Sequence, residues 1–488
     1  MPSSTKRLIV CTALVFFTAT PGFATWDIDG YEDVPVTRLI RNLQRRVEQH
    51  PKSADAHYAL ARVHSLAYSA TRDALLARVD KTSDGQRASA VDDPDADATV
   101  IHAWYPIVGD VRPGLSLERA QHFHSAVRHY RSAIRLKRRL APAHLGLAWL
   151  LDDGTRFATQ LKWPGGGNLG VAAGTQWDAE RGVQQVLRSN SGLGRVEASE
   201  GLLSLGVSAL PAVAAAFDDA PARAKQSLRF VIDALWRDLA LEAYVRAFRL
   251  ALSSDLEADA FDLEGDVVSE EAAEAILRLT TGSELTQRLR ELRGEARRAL
   301  KELDGKERYV TPVVFPVESD VVLEDLFRVE RSASFDLDGD GSPETWPWPG
   351  SGACFLVWKP RPATPITSGR QLFGSRTWWI IWRNGYEPLA ALDDDQSGAL
   401  EGIELEGIGV WRDHNSNAHE DAGEVVSAAD FGVISIDVTP DGRWSGVPHS
   451  EHGIRLSDGT TRPSYDWTPR SLGDGPDTDV DTRETKRR

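Results

Sequence analysis

Asp393-Asp394-Asp395-Gln396-Ser397-Gly398-Ala399-Leu400-Glu401-Gly402-Ile403-Glu404 decides how the last third of the chain is read. Oxygen-bearing side chains stand at positions 1, 3 and 5 of this stretch, glycine at 6, leucine at 8 and glutamate at 12. A backbone curled around a hard cation turns alternate side chains inward, and glycine at the sixth residue permits the sharp turn. The expected ligands are Asp393, Asp395, Ser397, the Ala399 carbonyl, Glu401 directly or through water, and Glu404 with both oxygens. The cation they predict is Ca2+.

Two further stretches repeat the alternation. Upstream, Asp336, Asp338, Asp340, Ser342 and Glu344 alternate around Gly339 and Gly341, but position 12 is Pro347, so Glu344 has to complete the shell. Downstream, Asp413, Asn415, Asn417, His419 (through its carbonyl), Asp421 and Glu424 keep the ligand order. Ala418 takes the glycine position there, which costs roughly 1–2 kcal/mol if the backbone is left-handed. Eight residues separate Glu404 from Asp413. That spacing predicts one helix shared by the second and third loops, and structural rather than switching calcium.

Charge points to the same region. The chain has 488 residues, with 56 Lys+Arg against 72 Asp+Glu, a net of −16. From Val313 onward there are 31 acidic and 16 basic residues, a net of −15, which leaves about −1 for everything before it. An acidic balance argues against nucleic acid as the main partner. Two cysteines, Cys11 and Cys354, exclude a disulfide scaffold. Val310–Phe315 and Phe355–Trp358 read as strands, and nine of the 15 tryptophans lie from Trp346 onward. Trp378-Trp379-Ile380-Ile381-Trp382 reads as a buried strand, with a sugar-stacking platform as the alternative.

The first two-thirds carry helical periodicity. Ala54–His64, Ala126/Tyr130/Ala133 and Ala141–Ala148 place small residues where paired helices approach closely. Leu228, Val231, Ile232, Leu235, Leu239, Leu241 and Val245 form one stripe. His122, His124 and His129 share a predicted helix without the i, i+4 spacing of a zinc-binding helix, and read as a groove cluster. Gly165-Gly166-Gly167-Asn168 lacks the Lys-Ser/Thr of a phosphate cradle and reads as a linker. Lys6 and Arg7, the apolar run Leu8–Ala19 and the Pro21–Ala24 break read as a secretory signal peptide. No transmembrane span is expected after its cleavage.

These segments resemble known families. Residues 25–152 look like degenerate tetratricopeptide repeats with an inserted loop at about 67–116, and residues 153–305 like a HEAT-type helical region. The order Phe335–Gly341, Leu372-Phe373-Gly374, Asn384-Gly385-Tyr386, Leu389–Asp393, Trp411-Arg412-Asp413 and Phe431–Ile436 resembles an exported EF-hand-like calcium-binding domain. Such domains occur beside hemolysin-type and integrin-like modules of bacterial proteins. The expected layout is therefore a signal peptide (1–24), an all-α solenoid, a small α+β, β-rich calcium domain (310–467) and a disordered tail (468–488). The resemblance implies a secreted or periplasmic, non-catalytic protein whose helical repeats bind a protein or peptide partner. The alternative is an exported calcium-dependent hydrolase or carbohydrate-binding protein using Trp378–Trp382; no Gly-x-Ser-x-Gly or His-Glu-x-x-His supports it.

Overall fold

The computed structural model describes residues 31–69, 75–78, 115–161, 173–253, 265–281, 286–303, 309–327, 331–469 and 471–472. The signal-peptide segment, the Asp-rich centre of the insertion, Gly165–Asn168 and most of the tail lie outside the described residues.

A helical region comes first. Strand β1 (Tyr31–Val34) precedes α1 (Val36–Gln49), whose Val36, Leu39, Leu43 and Val47 repeat at helical spacing and are buried. α2 (Ala54–Ser69) follows, then β2 (Leu75–Arg78), antiparallel to β1. Ser116 caps α3 (Leu117–Leu136), its Oγ accepting from the Arg119 amide at 3.1 Å. α4 (Ala141–Gly154), α5 (Ala158–Leu161), α6 (Ala173–Arg188), α7 (Gly192–Ser204) and α8 (Leu210–Phe217) lead to the 31-residue α9 (Ala222–Leu252). α10 (Gly265–Leu279) and α11 (Gln287–Leu303) complete the region. Helices pack α1 on α2, α2 on α3, α3 on α4, α4 on α9, α9 on α10 and α10 on α11. The small residues act as expected: a Cβ at Gly146 would strike the buried Tyr130 ring, so that ring of α3 packs directly on the α4 backbone. Leu228, Val231, Ile232 and Leu235 of the α9 stripe are buried, and Leu239, Leu241 and Val245 pack partly against the same core.

The C-terminal domain is a curled antiparallel sheet. Its strands are β3 (Val313–Pro316), β6 (Ala353–Trp358), β7 (Ala399–Glu401), β8 (Ile408–Trp411), β9 (Val425–Ser427), β10 (Val433–Asp437), β11 (Gly442–Trp444), β12 (Val447–Leu456) and β13 (Thr461–Asp466). Spatial order is β7-β10-β12-β13-β3-β6-β8-β9, with β11 against β12. β4 (Ser332–Phe335) and β5 (Glu344–Pro347) form a separate hairpin, and α12 (Leu323–Leu326), α13 (Tyr386–Ala390) and α14 (Ala428–Phe431) are single turns.

Alternation along β6 explains why this domain has two cores. Cys354, Leu356 and Trp358 join the core that is continuous with the helices. Ala353, Phe355 and Val357 face a second, aromatic core with Phe335, Trp346, Trp348, Trp411 and Trp467. Every side chain of β6 is buried, which is why its sequence is apolar throughout rather than alternating.

Two expectations fail here. The segment between the second and third loops is not a shared helix: after a 3-10 turn, Gly402–Leu405, it becomes β8, paired with β6 and β9. Ile408-Gly409-Val410-Trp411 is β-branched and aromatic, and the sheet offers it partners on both sides. Trp378–Trp382 is buried as expected, but not as a strand. It opens as a 3-10 turn with φ of 57° at Trp378 and 53° at Trp379. Thr377 imposes the turn: its Oγ1 accepts from the Gly374 amide at 2.7 Å and lies 2.7 Å from the Leu372 carbonyl.

One carboxylate gathers several of the polar contacts between the helical region and the sheet domain. Asp394 Oδ1 accepts from Arg38 Nε (3.2 Å), Arg41 Nη2 (2.5 Å) and Asn42 Nδ2 (2.8 Å), all on α1. Asn42 is 4% exposed and also donates to the Ala391 carbonyl, whereas the Arg41 side chain is 49% exposed. Asn42→Ala should therefore cost about 1–3 kcal/mol, against less than about 1 kcal/mol for Arg41→Ala. Urea unfolding of the two variants measures both; equal losses would show that the exposed ion pairs hold the seam.

Candidate metal centres

Three loops of the sheet domain share one backbone conformation. The first joins β4 to β5, the second runs from α13 through β7 into the 3-10 turn, and the third joins β8 to β9. Counting from Asp336, Asp393 and Asp413, the fourth residue of each is left-handed: Gly339 (φ 77°), Gln396 (63°) and Ser416 (60°). So is the sixth: Gly341 (97°), Gly398 (91°) and Ala418 (57°).

The hydrogen bonds repeat with the dihedrals. The sixth amide donates to the first carboxylate: Gly341 to Asp336 (3.2 Å), Gly398 to Asp393 (2.9 Å), Ala418 to Asp413 (2.8 Å). The fifth amide donates to the third side chain: Asp340 to Asp338 (3.2 Å), Ser397 to Asp395 (2.9 Å), Asn417 to Asn415 (3.0 Å). The seventh donates to the fifth: Ser342 to Asp340 (2.7 Å), Ala399 to Ser397 (3.4 Å), His419 to Asn417 (2.8 Å). In the second and third loops the twelfth residue closes the ring. Glu404 accepts from the Asp394 and Glu401 amides (2.6 and 3.1 Å), and Glu424 from those of His414 and Asp421 (2.8 and 3.0 Å). These bonds aim the oxygens of separate residues at one point, the arrangement a hard cation needs.

The loops differ in what reaches that point. Asp336, Asp338 and Asp340 bring carboxylate oxygens within 4.8 Å of one another, and so do Asp393, Asp395 and Glu404. Glu344, on β5 opposite Phe335, is outside the first group. Asp336 and Asp338 are buried, and among the described residues Asp336 Oδ2 has no hydrogen-bond partner. Burial pushes the Asp336 carboxyl well above the usual carboxylate range, and the neighbouring Asp340 and Asp338 charges add to this. Arg370 is the nearby positive group, its Nε donating to the Gly339 carbonyl at 2.6 Å while its guanidinium lies over Trp379. In the second loop, Ser397 Oγ donates to the Ala399 carbonyl at 2.9 Å. The Glu401 carboxylate, 56% exposed, lies 3.7 Å from Arg455 on the sheet surface.

In the third loop, amide side chains take up part of the ring. Asn415 Nδ2 and Asn417 Nδ2 both donate to Asp421 Oδ2, at 2.7 and 3.0 Å. His419 Nδ1 lies 2.8 Å from the Asn417 carbonyl. Trp348 Nε1 donates to Asp413 Oδ2 at 2.7 Å, tying this loop to the aromatic core. Fewer charges and more internal bonds leave this loop with less concentrated negative charge than the other two.

Sequence reasoning missed Asp394, which uses its amide inside the second loop and its carboxylate on α1. Three consecutive aspartates were the available signal: only the first and third can face inward, so the middle one has to face outward. Gly369 was missed as well. Its amide donates to the Asp336 carbonyl at 2.7 Å, and a Cβ there would collide with the Leu337 carbonyl.

A family model, the SPM domain, matches residues 324–466. The matched span covers under a third of the chain, runs from α12 to the end of β13 and encloses all three loops. No curated protein matches the chain. Among the described residues, no helix is long and apolar enough to cross a membrane.

Gly398 has open space around its Cα and Gly369 has none, so alanine tests backbone strain at one and collision at the other. Gly398→Ala should cost about 1–2 kcal/mol, and Gly369→Ala more, about 3 kcal/mol. Denaturant midpoints decide the order; a larger loss at Gly398 would contradict the tight seating of the first loop.

Proposed function

We propose that residues 310–467 form a calcium-stabilised domain of EF-hand-like loops, in a secreted or periplasmic protein without catalytic activity. The helical region before it, a solenoid of tetratricopeptide-like and HEAT-like pairs, serves as a scaffold for a protein or peptide partner. One observation carries the calcium reading. The same two left-handed residues and the same amide-to-side-chain bonds recur in three loops, and in two of them three carboxylates crowd within 4.8 Å. Carboxylates at that separation repel by roughly 3.5 kcal/mol per pair at an effective dielectric constant near 20. An oxygen-liganded divalent cation removes that cost, and burial of Asp336 and Asp338 favours a resident ion over transient counterions.

The ligands would be Asp336, Asp338 and Asp340 in the first loop, and Asp393, Asp395 and Glu404 with the Ala399 carbonyl in the second. Asp413, Asn415, Asn417 and Glu424 would supply the third. Ca2+ here holds carboxylates together and orders the loops between strands. The compact setting, with β8 shared between neighbouring loops, leaves no helix pair to open. A hydrolase or sugar-binding reading has less support, because Trp378, Trp379 and Trp382 are 0%, 3% and 3% exposed and present no face for stacking.

Calcium at about 100 times its Kd adds about 2.7 kcal/mol of stability per site, equivalent to roughly 5–10 °C in melting temperature for a domain of this size. Scanning calorimetry of the full chain in calcium and in EGTA should show at least that shift. Asp393→Asn combined with Glu404→Gln should remove most of it. Identical melting curves with and without the chelator would sink the calcium reading.

A further inference from the structure

Outside the carboxylate loops, four histidines meet between α2 and α3. His57 and His64 lie seven residues apart on α2, and His122 and His129 seven apart on α3. Seven residues are two helical turns, about 10.5 Å along one face. The helices pack against each other so that His57 meets His129 and His64 meets His122. In each pair the two Nδ1 atoms are 2.9 Å apart. The rings form a ladder, with His64 also stacked on His129 at a centroid distance of 6.2 Å. His57, His64 and His129 are buried, and His122 lies at the half-buried edge. His124, on the same helix, is exposed and turned against the edge of Phe123.

We propose that the His57/His129 and His64/His122 pairs are two transition-metal sites, each able to hold a divalent cation of the zinc class between α2 and α3. Neutral imidazole is the donor that zinc, copper and nickel prefer, and it is a poor ligand for calcium. The cluster supplies that form. Burial pushes His64 down to about 3 and His129 down to about 4, and lowers His122 as well, so each pair holds at least one ring kept neutral at physiological pH. His57 Nε2 lies 3.2 Å from the Pro51 carbonyl, the outer-shell bond that fixes a ligating histidine with its Nδ1 lone pair free. A tetrahedral zinc with bonds of about 2.05 Å holds two nitrogens about 3.3 Å apart, so each pair needs to open by only a few tenths of an ångström.

Protons balance without release. In the metal-free pair, one Nδ1–H donates to the other Nδ1. When both lone pairs turn to the metal, the donating ring moves its proton to Nε2; in the His57/His129 pair that ring is His129, so Arg128, whose Nη2 lies 3.5 Å from His129 Nε2, has to turn aside. Among the described residues no three histidine nitrogens lie within 4.8 Å of one another, so each pair acts separately and water completes each shell. No helix-borne i, i+4 histidine pair is involved, which is why spacing along one helix gives no hint of the sites.

The test is calorimetric titration of the full, calcium-saturated chain with Zn2+, so that the carboxylate loops are already occupied. About two equivalents are expected for the wild type and for His124→Gln. One is expected for His64→Gln and one for His129→Gln, with none for the double variant. Two equivalents retained in the double variant, or no binding in the wild type, would overturn the proposal. If the variants fail to fold, the unaltered chain still decides. Zinc should slow carbethoxylation of His122 by diethyl pyrocarbonate, read by mass spectrometry, and leave His124 unaffected; equal rates at His122 with and without zinc overturn the sites.

Discussion

The sheet domain depends on one constraint: carboxylates forced together by backbone geometry. Left-handed residues at the fourth and sixth positions of each loop turn amides inward, and those amides hold the first, third and fifth side chains toward a common point. Neutral amide donors do not cancel like charges a few ångströms apart. The loops therefore hold a geometry that is costly unless positive charge is supplied. The first loop partly meets this need with Arg370, and the third by replacing two carboxylates with Asn415 and Asn417. The second keeps Asp393, Asp395 and Glu404 together, and the arginines beside it, Arg38 and Arg41, spend their side-chain ion pairs on the outward-facing Asp394 at the seam with α1.

That coincidence links local and global structure. Glu404 accepts from the Asp394 amide, while the Asp394 carboxylate gathers Arg38, Arg41 and Asn42 of α1. Arg38 also donates to the carbonyls of Leu392 and Glu404, the residues that bracket the loop. Any change in the ring of the second loop therefore moves the seam with α1. The continuous apolar core beneath, from the α-helices to Leu356, Trp358 and Phe373, gives the seam its area; the polar bonds give it register. Deeper in, Arg62 of α2 donates to the Trp379 carbonyl at 3.2 Å, so the turn that displaced the expected tryptophan strand is part of the same contact.

Features set by short range were legible in the sequence. The glycines at the sixth position, the α9 stripe and the small residues of α3 and α4 all depend on neighbours within about a dozen positions, whereas Glu344 and Glu401, read as ligands by alternation alone, stand apart from the clustered carboxylates. The left-handed backbone at Ala418 followed from position alone. What failed needed a partner supplied by the fold. Ile408–Trp411 is apolar enough for a buried helix or a strand, and only β6 and β9 decide between them. Trp378–Trp382 has strand composition, but Thr377 and Gly374 fix a turn there. The histidine pairs join residues 72 and 58 positions apart, across the long insertion, where no local periodicity reports them.

The net charge of −16 then acquires a physical sense. It is concentrated where alternate oxygens face inward, in the sheet domain, and not spread as a solubilising coat. The nearly neutral helical region brings four imidazoles together, three of them buried, where carboxylates would have been costly without a guaranteed ion. Hard oxygen loops and an imidazole ladder discriminate by donor chemistry as well as by position. On the two proposals, a hard cation would favour the carboxylate loops and would be poorly held by the imidazoles.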